Sequence, residues 1–139
     1  QEVIASKEDV LHAVQDIEKN GDNSKYVIID SRRIEEIMGS SKLDNVARGG
    51  HVPNAKFIEW TNFSDATKKF SYKSEDEMKA ILDKNGITKD KVIYTYCHVG
   101  AGRGSYIASV LEKLGYKNVK VYTGSWDEWG NDWNMPIRR

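Results

Sequence analysis

The sequence predicts an α/β fold in which a parallel sheet is covered by helices on both faces. Short apolar runs rich in β-branched residues alternate with segments whose apolar residues recur at helical spacing. The runs at 26–30 and 92–96 are apolar almost without alternation, as expected of strands that are buried on both faces. A length of 139 residues suits one domain, so residues 1–139 are expected to form a single domain.

The first half of the chain begins with a predicted helix over 7–20 and a strand over 26–30. Ser6 can cap the helix with Asp9 three residues later, and Gly21 follows its last turn. The strand ends in the polar residues Asp30, Ser31 and Arg32. After it we expect a helical turn over 33–38, a polar loop over 39–50, a turn over 51–55 and a short strand over 56–59.

The second half is predicted to be irregular over 61–73 and then to return to alternating helices and strands. Ser74 and Glu77 form a second capping box, and Gly86 ends the helix that they start. A strand is predicted over 92–96, a helix over about 103–114, a strand over 119–122 and a turn into a short helix over 124–129.

Composition excludes several function classes. Lys plus Arg and Asp plus Glu both number 21, so the net charge is zero and no nucleic-acid interface is expected. No apolar run approaches the roughly 18 residues of a spanning helix, so no membrane insertion is expected. With one cysteine and three histidines, neither an internal disulfide nor a metal site is expected. The chain starts at Gln1, as a processed protein, a trimmed chain or a piece of a longer one would, and its compartment, cytoplasmic or exported, stays open.

The single cysteine, Cys97, stands where a buried strand runs into a glycine-rich turn. Glycines at 100, 102 and 104 allow backbone N–H groups to turn inward, and the following helix adds its N-terminus, which together favour an anion. The same field favours a thiolate at Cys97, and Arg103 adds a fork of donors for an oxyanion. A lone cysteine is often only a small buried hydrophobe. Its adjacency to this loop nevertheless favours a nucleophile.

Four landmarks carry a resemblance to a known family. They are the segments 30–32, 50–55, the loop that starts at Cys97, and 122–129. In this order and spacing they resemble the rhodanese-type sulfurtransferase domain, from about Lys7 to Ile137. The segment from Phe57 to Gly86 is similar to the catalytic second half of tandem thiosulfate sulfurtransferases.

The resemblance implies a three-layer, rhodanese-like domain with a five-stranded parallel sheet. It also implies that Cys97 accepts a sulfane sulfur from a small anionic donor, thiosulfate or similar, and passes it from the persulfide to a thiol or cyanide. The persulfide is the carrier, so no metal or organic cofactor is implied. A second rhodanese domain in a longer chain is a possible partner.

The resemblance also assigns roles to individual residues. Cys97 matches the persulfide-forming cysteine. Arg32 matches an arginine near the site that can hold the donor's oxygens, Trp126 an aromatic position beside it, and Asp30 and His51 framework positions. The anion-binding loop comprises His98, Val99, Gly100, Ala101, Gly102 and Arg103. For Trp126 and Trp129 a core position and a pocket wall remain equal alternatives, and Arg48 is not placed.

The spacing of the loop keeps a second function open. Arg103 is the sixth residue after Cys97, and Cys-x5-Arg is the signature of cysteine-dependent phosphatases, one family of which shares the rhodanese fold. Asp127 and Glu128 could supply the acid that such a reaction needs. Tyr96, where phosphatases usually have histidine, and the segments 61–86 and 124–129 favour sulfur transfer. A third possibility, a non-catalytic binding domain, is disfavoured because inactive rhodanese modules generally lack the cysteine.

Overall fold

The structure is a computed structural model that describes residues 4–32, 47–58, 64–65, 71–72, 74–97 and 102–138. Within the ranges 64–65, 71–72 and 102–106 only the backbone is described. Of the predicted elements, the helical turn over 33–38 and most of the loop over 39–50 lie outside the described residues.

In the part of the chain that the structure describes, five parallel strands form the main sheet. In chain order they are β1 (Ile4–Ala5), β2 (Tyr26–Asp30), β3 (Lys56–Phe57), β6 (Val92–Tyr96) and β7 (Val119–Tyr122), and a separate antiparallel pair supplies β4 (Ser64–Asp65) and β5 (Ser71–Tyr72). The sheet order is β1-β7-β6-β2-β3, and every neighbouring pair is parallel. The predicted α/β class with a five-stranded parallel sheet is therefore confirmed, and β6 is its central strand.

Helices cover both faces of this sheet. They are α1 (Lys7–Asn20), α2 (Glu75–Lys84), α3 (Gly102–Lys113) and α4 (Ser125–Trp129), with a 3-10 turn over Gly21–Asn23 after α1. Both predicted capping boxes are present, at Ser6 and at Ser74. Within the described ranges, no helix combines the length and the apolar character needed to cross a bilayer.

Alternate residues of each strand enter different apolar layers. Val27 and Ile29 pack with the buried side chains of α2 and α3, whereas Ile28 packs with those of α1 and α4. In β6 the same alternation sends Ile93 to the first layer and Tyr94 to the second. Because both faces are covered, the strands carry continuous apolar runs rather than an alternation of apolar and polar residues.

The structure differs from the sequence expectations at short elements. Strand β1 was not predicted, since two residues carry no readable periodicity and their partner, β7, lies more than a hundred positions away. The segment 61–73, predicted to be irregular, contains the β4–β5 pair. Strand β3 ends at Phe57, Glu59 lies outside the described residues, and α3 begins at Gly102 rather than Arg103.

The capping box of α2 gives a first testable expectation. The Ser74 hydroxyl accepts a hydrogen bond from Glu77 N at 3.2 Å, and a Glu77 carboxylate oxygen accepts one from Ser74 N at 3.2 Å. Replacing Ser74 by alanine should lower the free energy of unfolding by about 1 kcal/mol, measured by urea denaturation, because one helix N–H loses its acceptor. Ser74→Asp, which keeps an acceptor, should stay near wild type, and equal losses in the two variants would contradict the capping role.

Candidate active site

Cys97 directly follows the central strand β6, at the carboxyl edge of the sheet. Its thiol is free of any disulfide and the residue is 3% exposed. Of the predicted anion-binding loop, His98, Val99, Gly100 and Ala101 lie outside the described residues. Gly102 and Arg103 open α3, where only their backbone is described. The strand-to-helix frame of the loop is thus in the predicted place.

The junction of β7 and α4, residues 123–126 and called the β7–α4 turn below, binds both main-chain polar groups of Cys97. The N–H of Cys97 donates to the Ser125 hydroxyl oxygen at 3.3 Å, and the C=O of Cys97 accepts from Trp126 N at 3.0 Å. The Ser125 hydroxyl in turn donates to the carbonyl of Tyr122 at 3.0 Å. Ser125 belongs to the landmark segment 122–129, but its contact with Cys97 could not be predicted, because it joins residues 28 positions apart.

The same turn depends on Gly124. A Cβ at this position would lie 2.8 Å from the Tyr122 ring and closer still to the Glu128 carboxylate. Contacts this short are not tolerated by real Cβ atoms, so a larger residue would displace the Glu128 carboxylate and the Tyr122 ring. Glu128 accepts a hydrogen bond of 2.6 Å from the Tyr122 hydroxyl, and this bond closes the turn over the strand end.

Arg32 is buried and paired with Asp30. Its Nε lies 3.0 Å from Asp30 Oδ1 and its Nη2 lies 2.8 Å from Asp30 Oδ2, a two-point ion pair, and Nη2 also donates to the carbonyl of Gly50 at 2.5 Å. The centre of the guanidinium lies 4.7 Å from the centre of the Trp126 ring, within cation–π range. These contacts place Arg32 beside Trp126 and attach its charge to the Asp30 carboxylate.

Tyr96 connects this ion pair to the neighbouring turn. Its hydroxyl donates to Asp30 Oδ2 at 2.5 Å and accepts from Val52 N at 3.1 Å. Burial, strengthened by the Asp30 carboxylate, raises the pKa of the Tyr96 phenol well above its usual value, which keeps it a donor. Asp30 and Tyr96 are partners in the β2–β6 register. Each of them is the last residue of a long apolar strand. This shared position is the sequence signal that could have identified Tyr96 as a partner of Asp30.

His51 lies in the turn before β3. Its backbone N–H donates to the backbone carbonyl of Arg138 at 2.7 Å, and its backbone carbonyl accepts from Arg138 N at 2.9 Å. The imidazole packs edge-on against Phe57, with ring centroids 4.9 Å apart. His51 therefore joins the C-terminal segment to the turn, at a place separate from the contacts of Cys97 described above.

Arg48, which the sequence did not place, donates hydrogen bonds at the end of α4. Its guanidinium reaches the carbonyls of Trp129 and Gly130, both at 3.1 Å, and that of Asp132 at 2.7 Å. A cation at a helix C-terminus satisfies its unpaired carbonyls. The carbonyl of Arg48 also accepts from Trp126 Nε1 at 2.8 Å. Trp126 and Trp129 are both buried in the core layer of α1 and α4, with Trp126 next to Arg32 as well.

One cleft that the described residues form lies away from Cys97. It encloses about 760 Å³ at the amino ends of the strands, where Tyr26, Lys56 and Lys91 contribute to its walls. A smaller cleft of about 440 Å³ lies at the carboxyl ends of β1 and β7 and is lined in part by Thr123 and Gly124. Of these two clefts, the smaller one adjoins the turn that binds Cys97.

Comparison with known proteins agrees with this geometry. The structure is similar to the anaerobic ergothioneine biosynthesis enzyme from Chlorobium limicola, with a TM-score of 0.83 at 24% identity over 97% of this chain and 31% of that one. Wild-type EanB gives a TM-score of 0.82 at 24% identity with the same coverage. These likenesses concern the fold.

Sequence relatives are more similar. The chain is 35% identical to the sulfur carrier protein TtuD of Thermus thermophilus, covering 100% of this chain and 49% of the relative. It is 37% identical to the thiosulfate sulfurtransferase of Azotobacter vinelandii, covering 79% and 39%. The chain thus spans about half the length, or less, of these relatives. The rhodanese-like domain family matches residues 13–132, most of the chain. The chain therefore belongs to the rhodanese-like domain family.

Proposed function

We propose that the chain moves sulfane sulfur from thiosulfate or a related donor to a thiol or cyanide through a persulfide on Cys97. The observation that carries the proposal is the position of Cys97, the only cysteine, at the carboxyl end of the central strand of a rhodanese-like domain. Ligands of open α/β sheets bind beyond the carboxyl ends of the strands. Cys97 therefore lies at the edge of the sheet where a small anionic ligand would bind.

The proposed reaction has two balanced steps. The Cys97 thiolate attacks the outer sulfur of thiosulfate, the S–S bond of the donor breaks, and sulfite leaves with the electron pair. Cyanide or a thiolate then attacks the outer sulfur of the persulfide, and the Cys97 thiolate leaves unchanged. Each step displaces an anion by an anion, so no metal, organic cofactor or external oxidant is needed. Backbone N–H groups of the loop over 98–102 are the proposed cradle for the transferred sulfur.

The relatives support sulfur transfer and extend it. One is named a thiosulfate sulfurtransferase and another a sulfur carrier protein, and both are at least twice as long as the part this chain matches. We infer that a second rhodanese-like domain is a partner of this chain, in the same polypeptide or beside it. That the protein containing both domains uses the donor and the acceptor named above is part of the same proposal.

Intact-mass spectrometry after incubation with thiosulfate tests this function. We expect a gain of one sulfur, about 32 Da, that a thiol such as dithiothreitol removes, because a persulfide is a reversible cap on cysteine. Alkylation of Cys97 with iodoacetamide before the incubation should prevent the gain. If the protein gains no sulfur but hydrolyses a generic aryl phosphate, the sulfur-transfer proposal is wrong. That result would support the phosphatase hypothesis, which rests on the Cys97-x5-Arg103 spacing.

A further inference from the structure

We propose that Ser125 is a positioning residue for Cys97. Its hydroxyl fixes the direction of the Cys97 N–H and thereby the direction in which the thiol leaves strand β6. The proposal rests on the proposed function only in taking Cys97 as the nucleophile. It assigns Ser125 a task that reaches beyond folding of the β7–α4 turn.

The first support is that consecutive residues of one turn hold both sides of the cysteine backbone. Ser125 accepts from the Cys97 N–H at 3.3 Å, and Trp126 donates to the Cys97 carbonyl at 3.0 Å. Two hydrogen bonds on either side of one Cα restrict rotation about it and so orient its Cα–Cβ bond. Removing the Ser125 hydroxyl therefore removes one of these two restraints.

The second support is that the Ser125 hydroxyl donates to one backbone group and accepts from another. Its oxygen lies 3.0 Å from the carbonyl of Tyr122, which can only accept, so the hydroxyl hydrogen points there. A lone pair of the oxygen then faces the Cys97 N–H, which can only donate. Ser125 is fully buried, so water does not readily replace the hydroxyl. The hydroxyl thus links the backbone of Cys97 to the end of β7 and fixes their relative position.

The third support is backbone strain. Ser125 has φ of +54°, in the left-handed region that residues other than glycine rarely adopt. Glycine would take this conformation without cost, so backbone shape alone does not explain a serine here. A hydroxyl that the neighbouring cysteine uses does explain it, in line with the clustering of strained residues at functional sites.

The test compares Ser125→Gly with Ser125→Ala. Both lose the hydroxyl, but glycine relieves the strain and alanine does not, so Ser125→Gly should melt at or above the temperature of Ser125→Ala. The positioning role predicts that both react about ten- to a hundredfold more slowly with thiosulfate in a single turnover followed by intact mass, because a small misplacement of a reacting group has such effects. The thiosulfate concentration for half-maximal rate should not change.

The matched control is Ser24→Ala. Ser24 is also buried, and its hydroxyl likewise accepts from a backbone N–H, that of Tyr26 at 3.2 Å, and donates to another group, Asp16 at 2.6 Å. It lies at the amino end of β2, away from Cys97. We expect this variant to lose stability and to keep the wild-type rate constant when it is measured well below its melting temperature, where nearly all of it is folded.

The outcomes separate this proposal from the proposed function. If the wild type takes up sulfur and both Ser125 variants do so at its rate, or if the rate follows the melting temperature instead of the hydroxyl, the positioning role is wrong. If the wild type takes up no sulfur, the proposed function fails, and alkylation of Cys97 by iodoacetamide decides in its place. Slower alkylation in both variants then supports positioning, and unchanged alkylation overturns it.

Discussion

Replacing Asp30 by alanine is expected to lower the free energy of unfolding by about 3–5 kcal/mol, the usual cost of breaking a buried ion pair from one side. Arg32 is 1% exposed, and Asp30 is its described carboxylate partner, at 2.8 Å. Without that carboxylate the buried guanidinium loses the two-point ion pair that Asp30 provides, and the Tyr96 hydroxyl loses its acceptor. Equilibrium urea denaturation, followed by tryptophan fluorescence, measures the loss.

The double variant Asp30→Ala with Arg32→Met is the control for this prediction. It removes both charges together, so no buried charge remains without a partner, and we expect it to be more stable than Asp30→Ala alone. The interaction between the two sites follows from the double-mutant cycle. A double variant less stable than the single one would show that the destabilisation comes from lost packing and from the bond to Gly50, not from the charge that has lost its ion pair.

The ion pair matters for the site because it joins three segments near Cys97. Asp30 closes β2, Tyr96 closes β6 and is followed by Cys97, and Gly50 precedes the turn into β3. One carboxylate therefore binds an arginine from its own strand end and a tyrosine from the neighbouring strand. We infer that this network fixes the position of Cys97 along the axis of β6, while the β7–α4 turn fixes the direction of the Cys97 side chain.

The helices and the long strands could be predicted from the sequence because local physics determines them. The capping box at Ser6 and the glycine at 21 set helix α1 at the predicted limits, 7–20. The unbroken apolar runs determine β2 and β6, because a strand that is covered on both faces can bury such a run. The position of Cys97 at a strand end follows directly from these limits.

The contacts that orient the site could not be predicted, because each joins residues far apart in the chain. The bond from Cys97 to Ser125 spans 28 positions, and that from Val52 to Tyr96 spans 44. Arg48 reaches Trp129 over 81 positions and donates to the carbonyls at the end of α4, a contact that no local pattern predicts. The sequence shows that such polar groups need partners. Only the packed fold decides which partners they find.

The largest effect on activity is expected from Cys97. Replacing it by serine should lower thiosulfate:cyanide sulfur transfer by at least about a thousandfold, because removal of a nucleophile leaves only binding and electrostatic contributions. A serine hydroxyl cannot hold a sulfane sulfur as a persulfide. The measurement is thiocyanate formation under saturating thiosulfate, together with the loss of the gain of one sulfur in the intact mass.

Stability has to be followed beside this loss, because Cys97 is 3% exposed and serine places a second polar group in its site. The hydroxyl costs up to about 1–3 kcal/mol if it finds no partner there. Cys97→Ala avoids this cost, since a buried cysteine behaves as a small hydrophobe. A chemical role predicts that both variants lose sulfur transfer equally although their melting temperatures differ. If Cys97→Ala forms thiocyanate at a rate near that of the wild type, the cysteine is not the sulfur acceptor, and the proposed mechanism is wrong.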